Sequence, residues 1–187
     1  MLRDTFGRRF GYLRLSITDA CNFKCTYCLP SGYQKPEGAE APLSLPEITR
    51  LARAFAGLGM TKLRLTGGEP TLRRDLLSII DSLATIEGIE TLALSTNGYR
   101  LAELAPQLRL AGVSALNVSI DSLEGTRFAE ITGGWKLGPI LEGIDRALDL
   151  QFRSVKINAV LMRQTASQDV DRFLDYIRRR PIAVRFI

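Results

Sequence analysis

Histidine is absent from this chain of 187 residues, and cysteine occurs only three times, all within the stretch "CNFKCTYC" from Cys21 to Cys28. Three clustered cysteines cannot build a disulfide framework, because bridging two strands the third, so a reducing compartment is expected. No apolar run approaches the roughly 18 residues of a membrane-spanning helix, and the N-terminus mixes Arg3, Asp4, Arg8 and Arg9 with isolated apolar residues. That pattern suggests neither export nor membrane insertion, and the expected location is cytoplasmic. No basic stripe interleaved with aromatics points to nucleic acid. The formal charge of +5 favours anionic ligands, although residues 178–180 read as a solvated helix end. No linker or low-complexity segment divides the chain, and 45% hydrophobic residues suit a single core, so residues 1–187 are expected to form one domain.

What is present alternates between periods of two and 3.6. Residues 12–17, 62–66, 91–96, 115–120, 154–160 and 183–187 read as short strands rich in Leu, Val and Ile. Between them lie helical patterns. The clearest opens with Ser44, Pro46 and Glu47, a capping box with proline in the first turn, and stops near Gly59. Others are expected over 75–83, 101–110, 124–131, 139–150 and 169–179. Such alternation implies right-handed crossovers and a parallel sheet.

Side chains alternate along a strand, and here the alternation separates apolar from polar. Leu13, Leu15 and Ile17 oppose Tyr12, Arg14 and Ser16; Leu63 and Leu65 oppose Lys62, Arg64 and Thr66. Leu116, Val118 and Ile120 oppose Asn117, Ser119 and Asp121, and Val155, Ile157 and Ala159 oppose Lys156 and Asn158, with Arg185 alternating likewise. A parallel sheet covered by helices on both faces is apolar on both. One polar, cationic face therefore predicts a curled sheet with a wet, ligand-filled interior: an α/β fold, an incomplete parallel (β/α) barrel of about six strands.

The cysteines admit few uses. Structural zinc takes four protein ligands from two knuckles, and the second knuckle is missing, leaving Asp19 as a makeshift fourth. Buried inert thiols make a poor reading of three cysteines in a polar loop after a strand end. An iron-sulfur cubane normally has one cysteine per iron, so three leave one iron open to a small molecule.

The C-x3-C-x2-C spacing of "CNFKCTYC" resembles the cluster motif of the radical S-adenosylmethionine (SAM) superfamily. More narrowly, "RLSITDACNFKCTYC", "KLRLTGGEPTLRRD", "LSTNGYRL", "LNVSIDSL", "VKINAVLM" and "VRFI" resemble, in that order, the GTP 3',8-cyclases of molybdenum cofactor biosynthesis, over the N-terminal part of that family. The resemblance implies an incomplete (β/α) barrel in which Cys21, Cys25 and Cys28 hold one 4Fe-4S cluster. It implies that SAM chelates the open iron, contacted by Tyr27, Gly67, Gly68, Glu69 and Ser119, with Asn117 and Asp121 on the same face. GTP would meet Arg14, Arg64, Ser95 and Lys156, with Arg185 a weaker member of the group, while Thr96 and Asn97 end a strand in a turn.

The implied reaction converts GTP to 3',8-cyclo-7,8-dihydro-GTP through a 5'-deoxyadenosyl radical. Its implied partners are an electron donor, a second copy in a homodimer, and the next pathway enzyme, cyclic pyranopterin monophosphate synthase. The family's second cysteine triplet, which ligates another 4Fe-4S cluster, has no counterpart in this sequence. The chain is therefore expected to be a radical SAM core that stops in its sixth strand. A silent cluster- or SAM-binding fragment and a radical SAM enzyme with another substrate stand as alternatives.

Overall fold

The computed structural model describes residues 2–162 and 166–187, with the side chains of 166 and 167 outside that description. A two-residue antiparallel ribbon, β1 (Leu2–Arg3) with β2 (Arg9–Phe10), precedes the main sheet. That sheet has six strands: β3 (Tyr12–Ser16), β4 (Lys62–Thr66), β5 (Thr91–Thr96), β6 (Ala115–Ser119), β7 (Ser154–Ala159) and β8 (Ile182–Phe186). They lie in strict sequence order and every pairing is parallel. This is the expected incomplete barrel, open between β3 and β8.

Each crossover carries a helix because parallel neighbours cannot be joined by a tight turn. In order these are α1 (Leu45–Gly57), α2 (Leu76–Ala84), α3 (Leu101–Leu110), the pair α4 (Gly125–Thr132) and α5 (Gly138–Asp149), and α6 (Ala166–Ile177). The α1 start is the expected capping box, with the Ser44 amide donating to the Glu47 carboxylate at 2.8 Å. A single 3-10 turn, Pro70–Leu72, precedes α2. The small ribbon was not expected, since two-residue strands leave no periodicity to detect.

The apolar faces of the strands and helices make one core. Leu65, Leu94, Leu116, Val118 and Ile157 of the sheet are fully buried with Ile48, Ile79, Leu108, Ile144 and Phe173 of the helices. Burial of one such leucine contributes about 2 kcal/mol, so slipping a strand by one residue would be costly. Register then aligns the polar set on the other face: Arg14 beside Arg64, Asn117 beside Lys156, and Asn158 beside Ser119 and Arg185. Lys156 is half-buried and Arg14, Ser119 and Arg185 are exposed there. The helix end at 178–180 is only partly free: Arg178 and Arg179 are exposed, whereas the Arg180 guanidinium stacks 4.2 Å from the Tyr176 ring centre.

Candidate functional site

The cysteine loop leaves the C-terminal end of β3, where parallel barrels collect their chemistry. Two of its amides cap α4: Lys24 N–H donates to the Thr132 carbonyl at 3.1 Å and Thr26 N–H to that of Ile131 at 2.9 Å. The loop thus satisfies carbonyls that a helix end leaves without partners. Phe23, between the first two cysteines, is buried, stacked on Trp135 at 4.9 Å and edge-on to Phe128 at 6.3 Å. The Trp135 indole N–H donates to the Asn22 carbonyl at 3.3 Å. Amides of Cys28 and Leu29 turn back onto the Cys25 carbonyl at 2.9 and 3.0 Å. With its apolar residue anchored and its chain turned, the loop presents all three thiols to one cavity.

That cavity is walled by Cys21, Cys25, Cys28, Tyr27, Gly67, Gly68, Ser95, Thr96, Asn97, Ser119 and Asp121. Among the described residues no three Cys, His, Asp or Glu side chains converge closely enough for a single metal ion. Asp19, the makeshift zinc ligand, lines a different cleft beside residues 39–43. The zinc alternative therefore loses its fourth ligand, while thiols spread around a cavity suit a cluster in which each iron takes one.

Burial raises the Cys21 thiol above its ordinary range and, with the Asp121 carboxylate nearby, pushes Cys25 up to about 12. An unfolded thiol ionises near 9.0. Between those values the unfolded chain binds fewer protons than the folded one, so stability falls as pH rises through the window. The urea midpoint of cluster-free protein is expected to decline from about pH 9 towards 12, and Cys25→Ala to flatten part of that decline.

The Gly-Gly turn after β4 is forced by backbone contact. The Gly68 amide donates to the Thr18 carbonyl at 2.8 Å and the Glu69 amide to that of Ala20 at 2.7 Å. A Cβ on Gly67, whose φ is +149°, would collide with the Thr18 carbonyl, and one on Gly68 with that of Ala20. These glycines bring the β4 turn against the cysteine loop while their open side lines the cavity.

Glu69 turns the other way. Its carboxylate is fully buried and accepts from Thr71 N–H (3.0 Å), the Thr71 hydroxyl (2.5 Å), the Thr96 hydroxyl (2.8 Å) and Asn97 N–H (2.6 Å). It is a strut between the turns after β4 and β5. Desolvation raises its pKa although all four donors favour the charged form.

Tyr27 is half-exposed, and its hydroxyl donates to Asp121 at 2.7 Å; Asp121 also accepts from Val160 N–H at 2.9 Å. The pair joins the cysteine loop to the ends of β6 and β7, and burial raises both groups. Arg73, which no sequence signal marked, donates to the carbonyls of Ile17 and Leu43 at 2.7 and 2.8 Å and pairs with Asp75. It clamps the two ends of the long cysteine loop.

On the cationic wall, Arg64 lies over Tyr12 at 5.4 Å, and with its amide oriented by the guanidinium, Asn117 Oδ1 accepts from Arg64 Nη2 at 3.2 Å. Its Nε is buried without a partner, and desolvation together with Arg14 and Arg185 lowers its pKa. No carboxylate pairs with Arg14, Arg64, Lys156 or Arg185 among the described residues. Ser95 joins the cavity to this wall, pairing with Asn117 in register.

An open, sequentially ordered parallel sheet with three thiols at its mouth and a cationic inner face defines an α/β protein with a thiol-lined cavity at the C-terminal ends of its strands. Residues 15–177 match the radical SAM superfamily, and the chain belongs to it. Over 186 residues it is 51% identical to the GTP 3',8-cyclase of Mannheimia succiniciproducens, covering all of this chain and 55% of that protein. Over 190 residues it is 54% identical to the GTP 3',8-cyclase of Aeromonas hydrophila subsp. hydrophila, covering all of this chain and 56% of that one. The chain thus spans a little over half the length of these curated relatives. In fold it is similar to SuiB of Streptococcus suis bound to S-adenosylmethionine, with a TM-score of 0.79 at 16% identity over 95% of this chain and 40% of that one. No helix among the described residues is long and apolar enough to cross a membrane.

Proposed function

We propose that this chain is the core of a GTP 3',8-cyclase of molybdenum cofactor biosynthesis, a cytoplasmic lyase. Cys21, Cys25 and Cys28 hold one 4Fe-4S cluster, and SAM sits against Tyr27, Gly67, Gly68 and Ser119. The donor set fits: three thiols face one cavity without converging on a single ion, and Gly67 and Gly68 line the same cavity, held there by backbone packing that leaves no room for a Cβ. Glu69 serves SAM indirectly, through the turn that its carboxylate fixes. When bound, the cluster and SAM supply the one-electron chemistry that starts ring closure between C3' and C8 of GTP.

The observation that carries the nucleotide is the buried, unpartnered Nε of Arg64 within a group of cations with which, among the described residues, no carboxylate pairs. Burying a guanidinium is costly unless an anion compensates it, and a triphosphate shared with Arg14 and Lys156 does so with charge-assisted hydrogen bonds. Asn117 holds the Arg64 fork, and Ser95 stands between triphosphate wall and cavity. The Tyr27–Asp121 bond keeps the cysteine loop closed over the strand ends. The chemistry needs an external electron donor; a homodimer and delivery of product to cyclic pyranopterin monophosphate synthase belong to the same reading.

The test is anaerobic reconstitution with iron and sulfide, followed by iron counting and SAM cleavage with and without GTP. About four irons per chain and GTP-dependent cyclised product support the proposal. Iron without any GTP-dependent product overturns the cyclase and leaves a cluster-binding fragment. Arg14→Ala or Lys156→Ala is expected to weaken GTP binding about 10- to 100-fold, the worth of a hydrogen bond to a charged group, with iron content unchanged. Loss of iron instead would place these cations in the core.

A further inference from the structure

We infer that Asn97 is a positioning residue that tunes the thiol-held group through Cys21; the inference rests on the cluster-binding reading above. The Asn97 side-chain oxygen accepts from Tyr99 N–H at 3.1 Å. That bond fixes which end of the amide is nitrogen. Of the two N–H bonds on Nδ2, one goes to Asn22 Oδ1 at 2.9 Å, and Nδ2 stands 4.0 Å from Cys21 Sγ. The backbone is held as firmly, since the Asn97 amide donates to the buried Glu69 carboxylate. Three independent bonds thus aim one donor at one sulfur.

The three thiols differ in this respect. Cys21 receives the Phe23 amide as well as Asn97, whereas the hydrogen bond on Cys25 comes from its own backbone and that sulfur faces the Asp121 charge. A donor to a ligating sulfur stabilises the reduced, more negative state of a cluster and raises its potential. Asn97 is also buried, so water cannot replace the donor at full strength. The turn after β5 therefore sets how strong a reductant the centre is, without touching substrate.

Two variants separate this role from folding. Asn97→Leu removes the donor at similar volume. Asn97→Ala removes the donor without adding charge and needs no more room than the native side chain, so it serves if the leucine variant does not fold. Each is reconstituted anaerobically with iron and sulfide and titrated without SAM, the reduced fraction being followed by electron paramagnetic resonance. The expected result is iron content equal to the parent protein and a potential lower by at least a tenfold change in the oxidised-to-reduced ratio, 59 mV for one electron. An unchanged potential and spectrum with normal iron overturns the inference alone. Iron loss in both variants overturns it too, assigning Asn97 to holding the loop. Parent protein that takes up no cluster overturns the underlying reading, a distinguishable outcome.

Discussion

Protein carrying Cys25→Ser is expected to be colourless after reconstitution, to hold well under one iron per chain where the parent holds about four, and to cleave no SAM. Three thiols are the whole soft donor set, for the chain has no histidine and no fourth cysteine. A serine hydroxyl is a harder and far less acidic ligand than a thiol, so one substitution would leave the proposed cluster two protein thiols. Cys25 is half-buried, and its backbone carbonyl anchors the turn that places Cys28. Serine preserves that backbone turn, so the variant should unfold within about 1 kcal/mol of the cluster-free parent in urea. A brown, SAM-cleaving Cys25→Ser protein would remove the thiol triad from the site.

Glu69→Ala is expected to cost about 3–5 kcal/mol of stability, within the sum of about 1–3 kcal/mol for each of two buried backbone donors left without an acceptor. The substitution orphans two backbone amides, those of Thr71 and Asn97, in a site closed to water, while the Thr71 and Thr96 hydroxyls can rotate towards other acceptors. Against a typical total of about 5–15 kcal/mol the loss is large, equivalent to a fall in Tm of roughly 6–20 °C for a chain of this size. Glu69→Gln should lie between, since one amide nitrogen then faces donors. Urea unfolding of cluster-free protein separates this effect from any ligand. A loss below about 1 kcal/mol would mean that the carboxylate is not the strut the geometry describes.

Glu69 also marks where reading the chain stops. The motif "TGGEP" is visible in sequence, and with it the expectation of a SAM contact, but nothing local says that the glutamate turns inward to bind the end of β5, 27 and 28 residues further on. Arg73 is the same case, bridging Ile17 and Leu43 across distances of 56 and 30 residues. Tyr27 reads locally as a packing aromatic or a cofactor contact. Its hydroxyl bond to Asp121 spans 94 residues and has no local signature.

The six strands of the main sheet, their polar and apolar faces, the capped first helix and the thiol triplet were determined by sequence, because each depends on neighbours two to four residues apart: side-chain alternation, helical period, a capping box, ligand spacing. Which thiol has a side-chain donor, which glycine supports which loop, and which cations lack a counter-charge were decided only by tertiary structure. These are pairings between strand ends that adjoin once the sheet curls, and hydrogen-bond geometry of a few ångströms is set by backbone packing rather than by the order of residues along the chain.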